Sequence, residues 1–212
     1  MLDYEDVLAA REHVEQVAVR TPVNYSHSFS ELTGAAVNLK LENTQRTGAF
    51  KIRGAMNRIA ALTDAERERG VVTASAGNHA QGVALAATRA GVNSTIVMPK
   101  YAPVSKVEAT KRYGGEVVLH GIDYDEAQAH AHQLEREEDK VYVHAFEDER
   151  VMAGQGTIGL EIAEQCPEVD TVVVPIGGGG LISGVATALK GALDDVRVVG
   201  VQAAGADSAA RS

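Results

Sequence analysis

Short apolar runs alternate with amphipathic stretches along most of this chain. The runs are rich in Val and Ile and end at Gly, Pro or polar residues, which is typical of strands buried in a sheet. The amphipathic stretches repeat apolar residues at helical spacing, which predicts helices. Such alternation favours an α/β fold of βαβ units, with mainly parallel sheets whose two faces are covered by helices.

The predicted strands are Asn38–Glu42, Gly70–Ala74, Ser94–Met98, Glu116–His120, Val141–His144, Thr171–Pro175 and Arg197–Gln202. The predicted helices are Phe50–Leu62, Asn78–Ala90, Pro103–Tyr113, Tyr124–Glu138, Gly156–Gln165 and Leu181–Leu193. One face of the first helix collects Ile52, Ala55, Met56, Ile59 and Ala60. The last strand is followed only by AAGADSAARS, and because a parallel strand is normally followed by a covering helix, we expect a C-terminally truncated chain.

Composition and charge exclude several classes of protein. Apolar residues make up 45% of the chain and charged residues 23%, which suits a packed core and argues against disorder. The net charge is −9, so we expect no nucleic-acid partner and no anionic membrane surface as a partner. The apolar runs are too short to span a bilayer and the N-terminus does not resemble a signal peptide, so we expect a cytoplasmic protein. With Cys166 as the only cysteine, a disulfide framework is excluded.

The first candidate for chemistry is Lys51, at the start of a predicted helix between Gly48 and Gly54. The positive end of a helix dipole favours a neutral amine over an ammonium ion. A partly buried lysine with a lowered pKa can form a Schiff base with a carbonyl compound. The alternative is an ordinary lysine at a helix end, with its stem on apolar surface and its amine in water.

The second candidate is the segment SAGNHAQG, residues 75–82, between the strand Gly70–Ala74 and the helix that follows it. Free backbone N–H groups at a helix N-terminus bind anions, and ligands of open α/β sheets bind at the carboxyl ends of strands. Ser75 could equally be a plain N-cap, and His79 could equally be a structural histidine.

The third candidate, PIGGGGL at residues 175–181, is the most specific of the three. Consecutive glycines let the backbone approach a ligand and turn several N–H groups inward, which indicates phosphate binding. An ordinary tight turn needs fewer glycines. The segment lacks the Lys-Ser/Thr pair of a P-loop. As a dinucleotide-binding fingerprint it is also poor, because Ser183 stands where the third Gly or Ala belongs.

Taken in order along the chain, several segments resemble the fold-type-II pyridoxal-phosphate (PLP) enzymes. The resemblance is closest to the threonine ammonia-lyases (threonine dehydratases), with serine racemase and serine dehydratase as relatives. The segments are LKLENTQRTGAFKIRGA, SAGNHAQGVA, VMPKYAPVSKVEATKRYGGEVVLHG, AGQGTIGLEI and VVVPIGGGGLISG. The resemblance implies a tryptophan synthase β-like fold of two open, twisted parallel-sheet domains. Residues 70–144 would form the small domain, inserted into a large PLP-binding domain of residues 1–69 and 145–212.

The resemblance also implies roles for individual residues. Lys51 would hold PLP as a Schiff base and later remove the α-proton of the substrate, and Phe50 would pack on the pyridine ring. Asn78 would bond the ring's 3′-hydroxyl and, with Ser75 and His79, the substrate carboxylate. The phosphate would lie against Gly177, Gly178, Gly179, Gly180 and Leu181.

Four departures from the family pattern bear on function. Ala49 replaces the serine that often precedes the Phe-Lys pair. Ala76 replaces the second serine of the racemases, which argues against racemisation. Gln202 replaces an acidic ligand of the cation site that some members have, so we expect no metal. The partner of the pyridine nitrogen would lie beyond residue 212.

The function implied is PLP-dependent deamination of L-threonine to 2-oxobutanoate, or of L-serine to pyruvate, with release of ammonia. The partner would be a small amino-acid substrate, and we expect a homo-oligomer, a dimer or a tetramer, for the full-length protein. Three alternatives stay open: a serine racemase or β-replacement synthase of the same fold, an inactive ligand-binding fragment, and a plain nucleotide-binding Rossmann domain.

Overall fold

Four parallel strands form the largest sheet of the protein, which a computed structural model describes over residues 1–211. Their spatial order is β5-β4-β3-β6, and every neighbouring pair is parallel. The strands are β3 (Val71–Ala74), β4 (Ser94–Met98), β5 (Glu116–Leu119) and β6 (Val141–Tyr142). This confirms the predicted α/β class, and the carboxyl ends of all four strands lie at one edge of the sheet.

Two smaller sheets lie outside this one. β7 (Thr171–Pro175) and β8 (Arg197–Val201) pair in parallel, as the alternation predicted. In contrast, β1 (Val23–Tyr25) pairs with β2 (Asn38–Lys40) in antiparallel register, and the strand predicted at Asn38–Glu42 ends at Lys40. It ends early because Glu42 enters a short 3-10 turn, Glu42–Thr44. The division into a small domain of residues 70–144 and a large one stays a prediction.

Helices fill most of the chain between the strands. They are α1 (Tyr4–Glu15), α2 (His27–Thr33), α3 (Lys51–Ala60), α4 (Asp64–Arg69), α5 (Asn78–Ala90), α6 (Val104–Arg112), α7 (Tyr124–Glu138), α8 (Glu149–Gln165), α9 (Gly180–Ala192) and α10 (Ser208–Arg211). The bounds of α5 and α7 agree with the predicted ones. α8 begins at Glu149 rather than Gly156, because the Asp148 carboxylate accepts hydrogen bonds from the first-turn N–H groups of Arg150 and Val151. Within the described residues, no helix combines the length and the apolar composition that a membrane span requires.

The main apolar core lies between the four-stranded sheet and the helices α3 and α5. Ile52 and Ile59 of α3 are fully buried there together with Val71, Val83 and Ile96. The predicted apolar face of α3 is therefore the face that packs, and it leaves Lys51 at the helix start close to the core.

A buried arginine fixes α3 from its other side. Arg53 is 1% exposed, and its guanidinium donates hydrogen bonds to the carboxylates of Glu42 and Glu161 at 2.7–3.0 Å. Burial alone would raise the pKa of Glu161, but the hydrogen bonds and charges of Arg53 and Lys40 outweigh it and hold that pKa below its ordinary value. The cluster thereby ties α3 to α8 and to the turn Glu42–Thr44.

We expect Arg53→Met to lower the free energy of unfolding by about 3–5 kcal/mol, because the carboxylates of Glu42 and Glu161, only 13% and 14% exposed, would lose their main partner. Urea unfolding of the full-length protein measures the loss. The control is Arg11→Met, which removes an ion pair between Arg11 and Glu164. The side chains of this pair are 34% and 40% exposed, so its loss should cost less than about 1 kcal/mol. Equal losses in the two variants would contradict the structural role of Arg53.

Candidate active site

Lys51 is the first residue of α3 and is half-buried. Nζ donates a hydrogen bond to the carbonyl oxygen of Ala145 at 2.7 Å and lies 5.3 Å from the centre of the Phe50 ring. Burial lowers the pKa of the Lys51 amine, because a charged ammonium ion is poorly solvated there. The sequence-based expectation of a lysine with a lowered pKa is thus matched by its surroundings.

The segment Val143–Glu147, the 143–147 loop, contacts all three candidate clusters. The Val143 carbonyl accepts hydrogen bonds from the Thr73 hydroxyl at 2.8 Å and from His79 Nε2 at 2.9 Å. The Ala145 carbonyl, two residues later, accepts from Lys51. The sequence did not predict this loop as part of the site, because the loop accepts these hydrogen bonds through backbone carbonyls. Every residue has such a carbonyl, so the residue types of the loop give no sign of them.

Phe146 joins the same loop to the glycine segment. A Cβ built on Gly178 would collide with the Phe146 ring, and one built on Gly180 would lie 2.8 Å from the Phe146 carbonyl oxygen. Two of the four glycines are therefore needed for packing against the protein itself.

The other two glycines, Gly177 and Gly179, face open space. A Cβ on either would have no neighbour among the described residues within 4 Å, and Gly179 has a left-handed φ of 87°. The loop thus combines close packing on one side with an open backbone surface on the other, which is the arrangement that an incoming phosphate needs. Leu181 follows in the first turn of α9 and is half-buried.

The segment 75–82 connects β3 to α5 and lies against Lys51. A Cβ on Gly82 would stand 3.0 Å from the Lys51 carbonyl carbon, so the missing side chain allows α5 to approach the start of α3. Ser75 is half-buried, and its hydroxyl oxygen accepts a hydrogen bond from the Gly77 N–H at 3.1 Å, which leaves the hydroxyl proton free to be donated. Asn78, the first residue of α5, is exposed.

His79 is 4% exposed, and its ring lies in the protein interior. Because Nε2 faces a carbonyl oxygen it must carry the proton, so Nδ1 is an acceptor, and no group within residues 1–211 donates to it. Burial lowers the pKa of His79 to about 4, with smaller contributions from Lys51 and His144. The neutral ring has no second N–H for a carboxylate. If His79 contacts the substrate carboxylate as predicted, its backbone N–H at the start of α5 is the available donor, not its ring.

The helices of the site begin without side-chain caps. The N-cap residues of α3, α5 and α9 are Phe50, Gly77 and Gly179, whose side chains cannot accept a hydrogen bond. Other helices have polar caps, namely Asp3, Ser26, Thr63, Asp123 and Asp148. The first-turn N–H groups of α5 and α9 are thus available to anionic ligand groups. Residues 1–211 contain no cluster of three or more His, Cys, Asp or Glu side chains arranged to hold a metal ion.

Comparisons of the sequence with family profiles and with curated proteins point to the same family. A family profile described as pyridoxal-phosphate dependent enzyme matches residues 14–212. An L-threonine ammonia-lyase of Thermotoga maritima is 54% identical over 202 residues, which are 95% of this chain and 50% of that protein. The catabolic L-threonine dehydratase TdcB of Escherichia coli K12 is 48% identical over 198 residues, 93% of this chain and 60% of that protein. The chain therefore spans about half of the length of the curated relatives it matches.

Solved structures with the same fold include two that are more than 40% identical to this chain. The processed form of threonine deaminase isoform 2 from Solanum lycopersicum matches with a TM-score of 0.93 and 43% identity, over 97% of this chain and 56% of its own. Maize serine racemase matches with a TM-score of 0.95 and 42% identity, over 100% of this chain and 64% of its own. The fold is thus that of enzymes named for deamination and for racemisation.

The buried His79 predicts a pH dependence of stability. The unfolded chain binds a proton at His79 near the ordinary pKa of 6.5, whereas the folded chain does so only at about 4. This contribution to stability is present above pH 6.5 and is lost as the pH falls toward 4, by up to about 3 kcal/mol.

The matched variant is His79→Gln, which keeps an N–H donor at the position of Nε2 and does not titrate. Urea unfolding of the full-length protein between about pH 4 and pH 7 should show a difference in unfolding free energy between wild type and variant that changes with pH. A difference that stays constant across this range would contradict the buried, neutral state of His79.

Proposed function

Since the chain belongs to the family of pyridoxal-phosphate dependent enzymes, we propose that the protein deaminates L-threonine to 2-oxobutanoate and ammonia. The observation that carries the proposal is the half-buried amine of Lys51, which has a lowered pKa and a hydrogen-bond acceptor at Ala145. The choice of threonine is supported by two relatives that are named for that substrate and share 54% and 50% sequence identity with this chain.

The residues of the site fit PLP. The open sides of Gly177 and Gly179, next to the uncapped start of α9, offer backbone N–H groups to the phosphate. Phe50 is half-buried directly before Lys51, so its ring can flank an aromatic cofactor bound to that lysine. Asn78, exposed at the start of α5, is free to bond a polar group of the cofactor or of the substrate.

The start of α5 suits the carboxylate of an amino acid. Its first-turn N–H groups, His79 among them, and the donatable hydroxyl proton of Ser75 are all hydrogen-bond donors. The helix dipole adds a favourable interaction with negative charge. We therefore assign the substrate carboxylate to this end of α5, on the side where α5 approaches Lys51.

Lys51 has the properties of the base for the α-proton. Bound PLP supplies an electron sink that stabilises negative charge at the substrate α-carbon. A neutral Lys51 amine that donates one N–H to Ala145 O keeps its lone pair free to accept the proton. The overall reaction removes water across the Cα–Cβ bond of threonine and then returns it, which leaves 2-oxobutanoate and ammonia.

Ala76 favours a lyase over a racemase. Racemisation needs a second proton donor on the face of the substrate opposite Lys51. The residue next to Ser75 is Ala76, whose methyl group packs against the main apolar core and cannot transfer a proton. Formation of D-serine from L-serine by the full-length protein, at a rate comparable to deamination, would count against this argument.

Replacing Lys51 by Ala in the full-length protein should lower turnover of L-threonine by about 10²–10⁴-fold or more, because the proton-transfer group is gone. The 2-oxobutanoate formed is the measurement. Borohydride treatment followed by peptide mapping should label Lys51 in the wild type and no lysine in the variant. The control is Lys111→Ala, which removes an exposed lysine of α6. Full activity or retained covalent PLP in the Lys51 variant would refute the assignment.

Replacing Gly177 by Ala should raise the dissociation constant of PLP by about tenfold or more, close to 1.4 kcal/mol, because a methyl group would occupy the open side of the loop. The fold should be unaffected, since the Gly177 backbone is not left-handed and a Cβ there meets no described atom. Gly205→Ala is the matched control, another glycine with open space around it. Equal PLP affinities in the two variants, measured by absorbance titration, would contradict the phosphate assignment.

A further inference from the structure

The turn within the 143–147 loop is closed by the ring of His144. Nδ1 accepts hydrogen bonds from the backbone N–H groups of Phe146 at 3.2 Å and of Glu147 at 2.7 Å. Two donors that converge on Nδ1 require it to be unprotonated, so the ring proton lies on Nε2. Nε2 in turn lies 3.7 Å from a carboxylate oxygen of Glu147.

The peptide enclosed by this turn is the one that receives Lys51. On its N-terminal side, the Val143 carbonyl is held by Thr73 and His79. On its C-terminal side, the Phe146 and Glu147 amides are held by His144. Ala145 lies between these two anchored points, and its carbonyl oxygen is 2.7 Å from Lys51 Nζ. The direction of that carbonyl therefore depends on the His144 turn.

We propose that His144 is a positioning residue, whose unprotonated Nδ1 holds the Ala145 carbonyl in place to receive the Lys51 amine. The inference rests on the proposed function only in that it takes Lys51 as the reacting group. It predicts that protonation of His144 opens the turn, because an imidazolium ion has an N–H on both nitrogens and can accept no hydrogen bond.

The groups around His144 determine the pH at which its ring is protonated. Burial is the largest effect and lowers the pKa of His144, so the ring is neutral at pH 7 and becomes protonated only in acid. Glu147 and Asp148 act in the opposite direction, while positive charge on His132 or Lys51 adds to the lowering. The remaining groups that face the ring are the Tyr142 and Phe146 rings and buried His79. The turn is thus intact at neutral pH and lost as the pH falls below the ordinary histidine range.

Two variants separate the hydrogen-bond acceptor from the titration. His144→Asn places Oδ1 at the position of Nδ1, so it keeps an acceptor for both backbone N–H groups and cannot be protonated in this range. His144→Leu has a similar size but no acceptor. Both variants and the wild type are prepared as full-length holoenzyme.

The first measurement is hydrogen exchange of the Phe146 and Glu147 amides, which does not depend on catalysis. At neutral pH, exchange should be similar in wild type and His144→Asn and roughly tenfold or more faster in His144→Leu, because hydrogen bonds are lost. On acidification, protection should fall in the wild type and persist in His144→Asn. Unchanged protection of both amides in His144→Leu would overturn the proposal.

The second measurement is the pH profile of kcat and KM for L-threonine. His144→Leu should lose roughly tenfold in kcat with little change in KM, since the His144 ring bonds the Phe146 and Glu147 amides and not the α5 N–H groups or Ser75 hydroxyl assigned to the substrate carboxylate. The fall of kcat in acid should move to lower pH in His144→Asn. An identical acid limb in wild type and His144→Asn would overturn the proposal, and this comparison stands even if His144→Leu does not fold. The expected exchange pattern in a wild-type protein that does not deaminate threonine would support the turn and refute the proposed function instead.

Discussion

The arrangement of this site depends on the hydrogen bonds that the buried guanidinium of Arg53 donates to two carboxylates. Arg53 lies two residues after Lys51 on the same helix and bonds carboxylates from α8 and from the turn after β2. A guanidinium can satisfy two carboxylates at once because its donors form a rigid planar fork. With the Gln155 side chain also accepting from the Gly54 N–H at 3.1 Å, the first turns of α3 are fixed to α8. Lys51 therefore emerges from a rigid support, which suits its proposed role as the reacting group.

The site is completed by backbone rather than by side chains. The 143–147 loop follows the edge strand β6 and leads into α8, and its carbonyls connect β3, α5 and α3 at consecutive points. Gly178 and Gly180 pack against Phe146 of the same loop, so the segment proposed to bind the phosphate is shaped by the loop that also accepts the hydrogen bond from Lys51. The proposed phosphate site and the orientation of the lysine thus share one short piece of chain.

Sequence alone predicted the parts of this structure that have a local signal. The helices Asn78–Ala90 and Tyr124–Glu138 were predicted with their observed bounds, because Gly91 ends one and Asp123 caps the other. Lys51, residues 75–82 and the four glycines were singled out as candidates through their residue types, and the structure brings them close to the 143–147 loop. A strand was predicted at the position of β2, but β1 and its antiparallel pairing with β2 were not, since a three-residue strand shows no reliable alternation. Val143 and His144 were predicted as the end of a strand, whereas β6 ends at Tyr142. The loop that follows gave no sequence signal, because the hydrogen bonds made by the Val143 and Ala145 carbonyls exist only once distant elements are assembled.

The starts of α5 and α9 have no side-chain cap, so the anions proposed to bind there would also stabilise these helices. Where a serine or aspartate cap would stabilise a helix by itself, Gly77 and Gly179 leave that role to whatever anion binds. Any ligand that binds only the folded chain raises its stability by mass action, by about 2.7 kcal/mol at a concentration one hundred times its dissociation constant. With the substrate carboxylate assigned to α5 and the cofactor phosphate to α9, as proposed, the resistance of the folded chain to heat and proteolysis would rise with the concentrations of both ligands.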